Sequence, residues 1–353
     1  MRSPRTLLAR SCALLALPAL AALPACGGGS GSAASSGDGS PVTLRLGYFP
    51  NITHATALVG VEKATFAQRL GPDRLETKVF NAGPAAVEAL FSGALDATYI
   101  GPNPAINAFV KSKGEAVRIV AGATSGGAAL VVRPDIRSAA DLRGKKVASP
   151  QLGGTQDVAL RAWLKSNGLA TNATGGGDVT VLPQENAQTL ETFRSGAVAG
   201  AWVPEPWATR LVLEGGGTVL VDEASLWPGG RFVTTHLVVR TEFLRKHPAT
   251  VRRLLEGHAE ATAFVNANAA EAQALANQGI EKATGKKLGA EVIASAWSRL
   301  AFTNDPVASS LRTSAEHATD LGLLEKVDLD GIYDLALLGE VLAARNEPAV
   351  DAP

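Results

Sequence analysis

Residues 79–110 read VFNAGPAAVEALFSGALDATYIGPNPAINAFV, and the way the glycines and prolines punctuate them decides the fold. A strand ending near Phe80 meets Gly83-Pro84, after which Ala85, Val87, Leu90 and Phe91 recur at roughly helical spacing. Ala94 to Ile100 is a short apolar run bounded by glycines, which predicts a buried strand, and Gly101-Pro102-Asn103-Pro104 turns into a second helix. Such a βαβα unit builds a parallel sheet with helices over its faces. In open sheets of this kind ligands lie beyond the carboxyl ends of strands, beside helix N-termini. Taken alone, Gly101 to Pro104 is as well explained by an ordinary strand-to-helix turn.

Working outward, the unit has an echo. Helix, Ser92-Gly93-Ala94, strand and the Pro-bearing turn at Gly101-Pro102 are repeated as helix, Ser195-Gly196-Ala197, strand and Val203-Pro204. Two similar lobes facing one another across a cleft would produce this echo. Before it, residues 42–49 alternate as a first strand, and Pro50 to His54 turn into an Ala-rich helix expected over 55–70, with Asn51 or Thr53 as N-cap. After it come strands near 117–123, 147–148, 179–182, 197–202, 219–221 and 232–239, then an almost wholly helical stretch from Thr241.

The 353 residues suffice for two domains, and 46% hydrophobic residues with 19% charged ones describe a well-cored α/β protein. Arg2, Arg5 and Arg10 are the only charges among the first 26 residues, which leaves the remainder three charges negative. No basic stripe appears, so nucleic acid is excluded as a partner. The apolar run from Cys12 to Leu23 is too short to span a bilayer, as in an export signal. Residues 27–40, GGGSGSAASSGDGS, have no apolar face and read as a flexible tether with a reach of roughly 20 Å.

The candidate chemistry lies in the turns: Asn51, Thr53 and His54; Gly101, Pro102 and Asn103; Thr124 and Ser125; Gly154, Thr155 and Gln156; Trp202 and Glu205; Thr235 and His236. Most are small or carry neutral donors, and no Lys or Arg stands inside these turns. Helix N-termini with such residues offer free N–H groups and a partial positive charge to an anion. Thr155 has a second role open to it, as a helix cap. His54 and His236 serve equally as donors or as packing, and Trp202 as a pocket wall or as core. Glu205 is placed to meet the amine of a zwitterion or to cap a helix. Thr124-Ser125-Gly126-Gly127 is not a nucleophile elbow, and five scattered histidines give no metal site and no cofactor.

Two sets of residues carry a family resemblance. Leu23-Pro24-Ala25-Cys26 resembles the lipobox of bacterial lipoproteins, which implies lipidation of Cys26 as the mature N-terminus and a membrane anchor on the extracytoplasmic face. Gly47-Tyr48-Phe49-Pro50-Asn51, Ser92 to Ala97, Asp141-Leu142-Arg143-Gly144-Lys145-Lys146-Val147-Ala148 and Trp202 to Trp207 together resemble the solute-binding proteins of ABC importers, in the nitrate/sulfonate/taurine group. The resemblance implies a two-lobe periplasmic-binding-protein-like α/β fold of type II. Each lobe is expected as a mixed, mostly parallel sheet flanked by helices, with crossovers near 128–132 and 230–235. It divides the chain into a signal (1–26), a tether (27–41), the first part of lobe 1 (42–130), lobe 2 (131–233) and a return to lobe 1 with the C-terminal helices (234–353). The implied function is capture of a small organosulfonate or related oxyanion by a monomer that delivers it to permease subunits, without catalysis. Nitrate, bicarbonate and a thiamin-pyrimidine precursor are the alternatives on the same fold.

Overall fold

The structure is a computed structural model and describes residues 40–326 and 328–351. The chain divides into two units, 1–40 and 41–353, and the second contains all the strands and helices of the described residues. The export signal, Cys26 and the tether up to residue 39 lie outside the described residues.

In chain order the strands are β1 (Thr43–Tyr48), β2 (Arg74–Val79), β3 (Ala97–Ile100), β4 (Val117–Gly126), β5 (Ala128–Val132) and β6 (Lys146–Ser149). They continue with β7 (Thr180–Pro183), β8 (Gly200–Pro204), β9 (Thr218–Asp222), β10 (Val233–Arg240) and β11 (Leu300–Phe302). One sheet runs β11-β4-β10-β3-β1-β2 and the other β7-β6-β8-β5-β9. Both are mixed, but the parallel share is smaller than expected. β2-β1-β3 and β7-β6-β8 are parallel triplets, whereas the strands that carry the chain between lobes, β4, β5 and β10, pair antiparallel to their neighbours.

Both faces of each sheet are covered, and strand periodicity assigns residues to them. On β10, Leu237 and Val239 enter the core beneath the helices Ala55–Glu62 and Pro248–Ala267, while Val238 enters the opposite core with Leu90, Ile106 and Phe109. On β5, Leu130 and Val132 join Trp202 and Leu160, and Ala129 and Val131 join Phe193 and Leu190. Each fully buried Leu or Val contributes about 1.5–3 kcal/mol over its exposed state. The C-terminal helices do return to the first lobe: Leu338, Val341 and Leu342 pack in the core with Leu44 and Leu46.

Three expectations shift. The first change of lobe occurs at Gly126-Gly127, both with positive φ, so that β5 already belongs to the second sheet and the boundary at 130/131 cuts a strand. Likewise 233/234 falls inside β10. The helix expected over 55–70 is two, Ala55–Glu62 and Thr65–Leu70, because Ala64 takes φ 58 and breaks the turn.

Candidate functional site

The parallel triplets present their carboxyl ends to each other, and the loops leaving those ends meet at a cavity of about 50 Å³. That is room for about four waters, the scale of a small anionic head group. After β1 come Phe49, Asn51, Thr53 and His54; after β2, Asn81 to Pro84; after β3, Gly101 and Pro104. The second lobe supplies Pro150, Gln151 and Gly154 to Gln156 after β6, Asn186 after β7 and Pro204 at the end of β8. Thr234, near the start of β10, completes the wall.

Four helices begin at this cavity: Gly83–Phe91, Pro102–Lys111, Thr155–Ser166 and Asn186–Arg194. None has a side-chain cap bond at its N-terminus, so the first-turn N–H groups present are left for a ligand. Pro84, Pro102 and Pro104 supply none, and Pro102–Lys111 offers only that of Asn103 among its first three residues. Pro84 and Pro102 lie at N1 or N2, where a missing N–H costs nothing and φ is pre-set. Among the described residues, no Lys, Arg, Asp or Glu lines the cavity. The positive ends of helix dipoles, two from each lobe, therefore set its electrostatics.

The cap of Thr155–Ser166 is Gly154, not Thr155. Thr155 Oγ1 makes no hydrogen bond to the described residues and faces Gly101 across the cleft; a Cβ on Gly101 would run into it. Asp157 in the same first turn is turned away from the cavity. It accepts from Ser149 Oγ at 2.6 Å and Gly153 N at 3.0 Å, and its charge is met by buried Arg161 at 2.9 Å. The loop 149–155 is thus fixed from below.

His54 is buried, stacks on Phe49 with ring centroids 4.4 Å apart, and has its pKa pushed down to about 3 by burial. Its Nδ1 accepts from Phe49 N at 3.3 Å, which leaves the proton of the neutral ring on Nε2. Thr124 Oγ1 (2.6 Å) and Thr235 Oγ1 (3.1 Å) both donate to the Thr53 carbonyl and so hold the 52–54 turn in place without lining the cavity. Asn51 does not cap its turn; its Oδ1 accepts from Trp207 Nε1 of the other lobe at 3.0 Å. A second bond across the cleft joins Asn81 Nδ2 to Glu185 Oε1 at 3.1 Å.

The turn residues thus separate into two groups. Asn51, Thr53, His54, Gly101, Gly154, Thr155 and Gln156 come together at the cavity. Pro102, Asn103, Thr124, Ser125, Trp202, Glu205, Thr235 and His236 do not line it. Asn103 Nδ2 donates to the Ser314 carbonyl at 3.2 Å, and Ser125 lies in β4 opposite Val233 and Ala301. Trp202 is core: its indole donates to buried Glu223 at 2.7 Å, whose pKa burial pushes up to about 7. Glu205 accepts from Thr209 N and Thr209 Oγ1, both at 3.0 Å, and stands 3.6 Å from Arg299. His236 donates from Nε2 to the Pro306 carbonyl at 2.9 Å, and burial lowers its pKa to about 4.

Phe49, Asn81, Gly83, Gln151, Asn186 and Thr234 were not among the expected residues. The echo held a signal for two of them: the same count back from Ser92 and Ser195 reaches Gly83 and Asn186.

Residues 37–279 match the NMT1-like family. A protein of Brucella abortus described only as a binding protein is 29% identical over 268 residues, 75% of each chain. The taurine-binding periplasmic protein of Escherichia coli is 30% identical over 189 residues, 53% of this chain and 56% of the relative. Among solved structures, the periplasmic aliphatic sulphonate binding protein of Escherichia coli superposes with a TM-score of 0.64 at 25% identity, covering 81% of this chain and 95% of the other.

Proposed function

The chain belongs to the NMT1-like family, and from that premise we propose that it is the solute-binding component of an ABC-type importer, capturing a small organosulfonate or related oxyanion outside the cytoplasm and handing it to the permease. One observation carries the ligand class: a small cavity onto which four helix N-termini open, with no ionised side chain among the described residues of its lining. Backbone N–H groups, Thr155 Oγ1, Gln156, Asn51 and the Nε2–H of His54 are neutral donors, each worth roughly 1.5–3 kcal/mol against a desolvated charge. Neutral donors suit a sulfonate, whose charge is independent of pH. Planar nitrate or bicarbonate is the second reading, favoured by the 50 Å³ of the inner cavity and disfavoured by the larger mouth of about 550 Å³ that adjoins it and leaves room for an organic tail. The lining of amides, hydroxyls and prolines supports binding rather than catalysis. Lipid attached at Cys26 would keep the protein, a monomer, at the outer membrane surface from which the permease draws.

Thermal unfolding with added solute tests the reading, since a ligand at a hundred times its dissociation constant stabilises by about 2.7 kcal/mol. Ethanesulfonate is expected to raise the midpoint while an uncharged sulfone leaves it unchanged. A rise with a thiamin-pyrimidine precursor and with none of the anions would overturn the oxyanion assignment.

A further inference from the structure

A second space, of about 710 Å³ and sharing no lining residue with the cleft, lies between the helix Thr155–Ser166 of the second lobe and the helix Ala308–Asp320 of the first. The crossover that follows β9, from Glu223 to Pro228, forms its third side. Trp163, Leu226, Trp227 and Leu321 give this groove an apolar wall. Trp227 is held flat against Phe232, with ring centroids 5.5 Å apart and planes 9° apart.

One carboxyl is built into the wall and left short of partners. Glu223 is 2% exposed and forms no ion pair among the described residues. Trp202 Nε1 donates to its Oε2 at 2.7 Å, whereas Oε1 accepts no hydrogen bond and yet is not sealed off; the groove is the space it borders. Burial raises its pKa to about 7, since charge there has no cation to meet it. The other charges near it do not supply one. Asp222 precedes it in the chain, and Lys165, whose Nζ donates to the Asp320 carbonyl at 2.7 Å, is offset by the Asp320 carboxylate. Burial lowers the pKa of His317, so that ring is neutral above pH 7. The lining therefore carries one net negative charge whenever Glu223 is ionised.

We propose that this groove is a second binding site, for a protonated amine carried on an aromatic body, with the ammonium paired to Glu223 and set against the Trp163 and Trp227 rings. An indole face attracts a cation, and more strongly where water is excluded. The amine supplies the charge that the wall lacks, and its apolar body covers the exposed side of Leu226. The site stands apart from the oxyanion cavity and does not depend on how that cavity is read.

Titration calorimetry with phenethylamine, 2-phenylethanol and phenylacetate at pH 6 and pH 8 tests it. At pH 8 phenethylamine is expected to bind one-to-one, about tenfold or more tightly than the alcohol, with phenylacetate weakest. Saturating ethanesulfonate should not displace it. Because the ammonium favours the ionised carboxyl, affinity should fall from pH 8 to pH 6, with a proton released on binding at the lower pH. Glu223→Gln keeps an acceptor for Trp202 and should bring the amine down to the level of the alcohol and remove the pH dependence. Leu226→Lys, at a side chain 49% exposed, leaves the buried carboxyl in place and should weaken the amine at least as much; circular dichroism checks that both variants are folded. Equal affinity for amine and alcohol, a preference for phenylacetate, or amine binding unchanged in both variants would overturn the site. Displacement by ethanesulfonate, which would put the amine in the cleft, or binding of none of the three would overturn it equally.

Discussion

Gly101 and Thr155 oppose each other across the cleft at a separation that admits no Cβ on Gly101. One begins a helix of the first lobe and the other a helix of the second. Their approach measures how far the lobes are closed around the cavity.

Gly101→Ala is therefore expected to hold the lobes apart and weaken solute binding about tenfold, roughly 1.4 kcal/mol. The φ of Gly101 is −71°, which alanine adopts freely, so the midpoint of unliganded unfolding should barely move. In the Gly101→Ala background, Thr155→Ala should cost less affinity than it does alone, a non-additive pair read by calorimetry. Strict additivity would separate the two residues.

Thr155→Ala alone separates a ligand contact from a helix cap. Because Gly154 is the cap, removing the hydroxyl should leave stability within about 0.5 kcal/mol. Affinity should fall by about 1.5–3 kcal/mol if Oγ1 bonds a desolvated charge, up to roughly a hundredfold. A stability loss near 1 kcal/mol with affinity intact would restore the capping role.

Solute affinity should be flat from pH 6 to 8, since His54 stays neutral far below that window. Stability should not be flat. His54, His236 and His258 have folded pKa values near 3, 4 and 4, lowered by burial. Below about pH 6.5 the unfolded chain takes up protons that the folded one refuses, so stability present above 6.5 is lost on acidification, about 1.4 kcal/mol per pH unit per proton. Glu223 acts with the opposite sign: raised to about 7, it contributes stability that is complete below about 4.5 and lost as pH rises to 7. Glu223→Gln should remove that second dependence, as followed by denaturant midpoints across pH.

Cys26→Ser should shift the protein from the membrane to the soluble fraction or block its processing. A wild-type N-terminus elsewhere, with no added mass on Cys26, would contradict lipidation.

Residues 79–110 made the fold legible because glycine and proline mark the turns and the echo at Ser195-Gly196 doubles the unit. Both echoed glycines have positive φ, 70° and 77°, just past their helices. The first crossover was misplaced because Thr124 to Val132 reads as one extended run; only the left-handed glycines at 126 and 127 divide it between sheets. At the site, a turn's position could be read from sequence, but the direction of its side chains could not. Trp202 lies mid-strand in β8 and Glu205 just past its end, and pairing with Glu223 and Thr209 turns both inward. Thr124 and Thr235 reach the cavity only through the Thr53 carbonyl, a contact that spans lobe-scale sequence distances.

The most direct test of the central claim is titration calorimetry of the wild-type protein with ethanesulfonate and with ethyl methyl sulfone, its uncharged near-isostere. Saturable one-to-one binding of the sulfonate, unchanged between pH 6 and 8, and none of the sulfone is the result expected if helix N-termini hold an oxyanion. Equal binding of both, or of the sulfone alone, would contradict it.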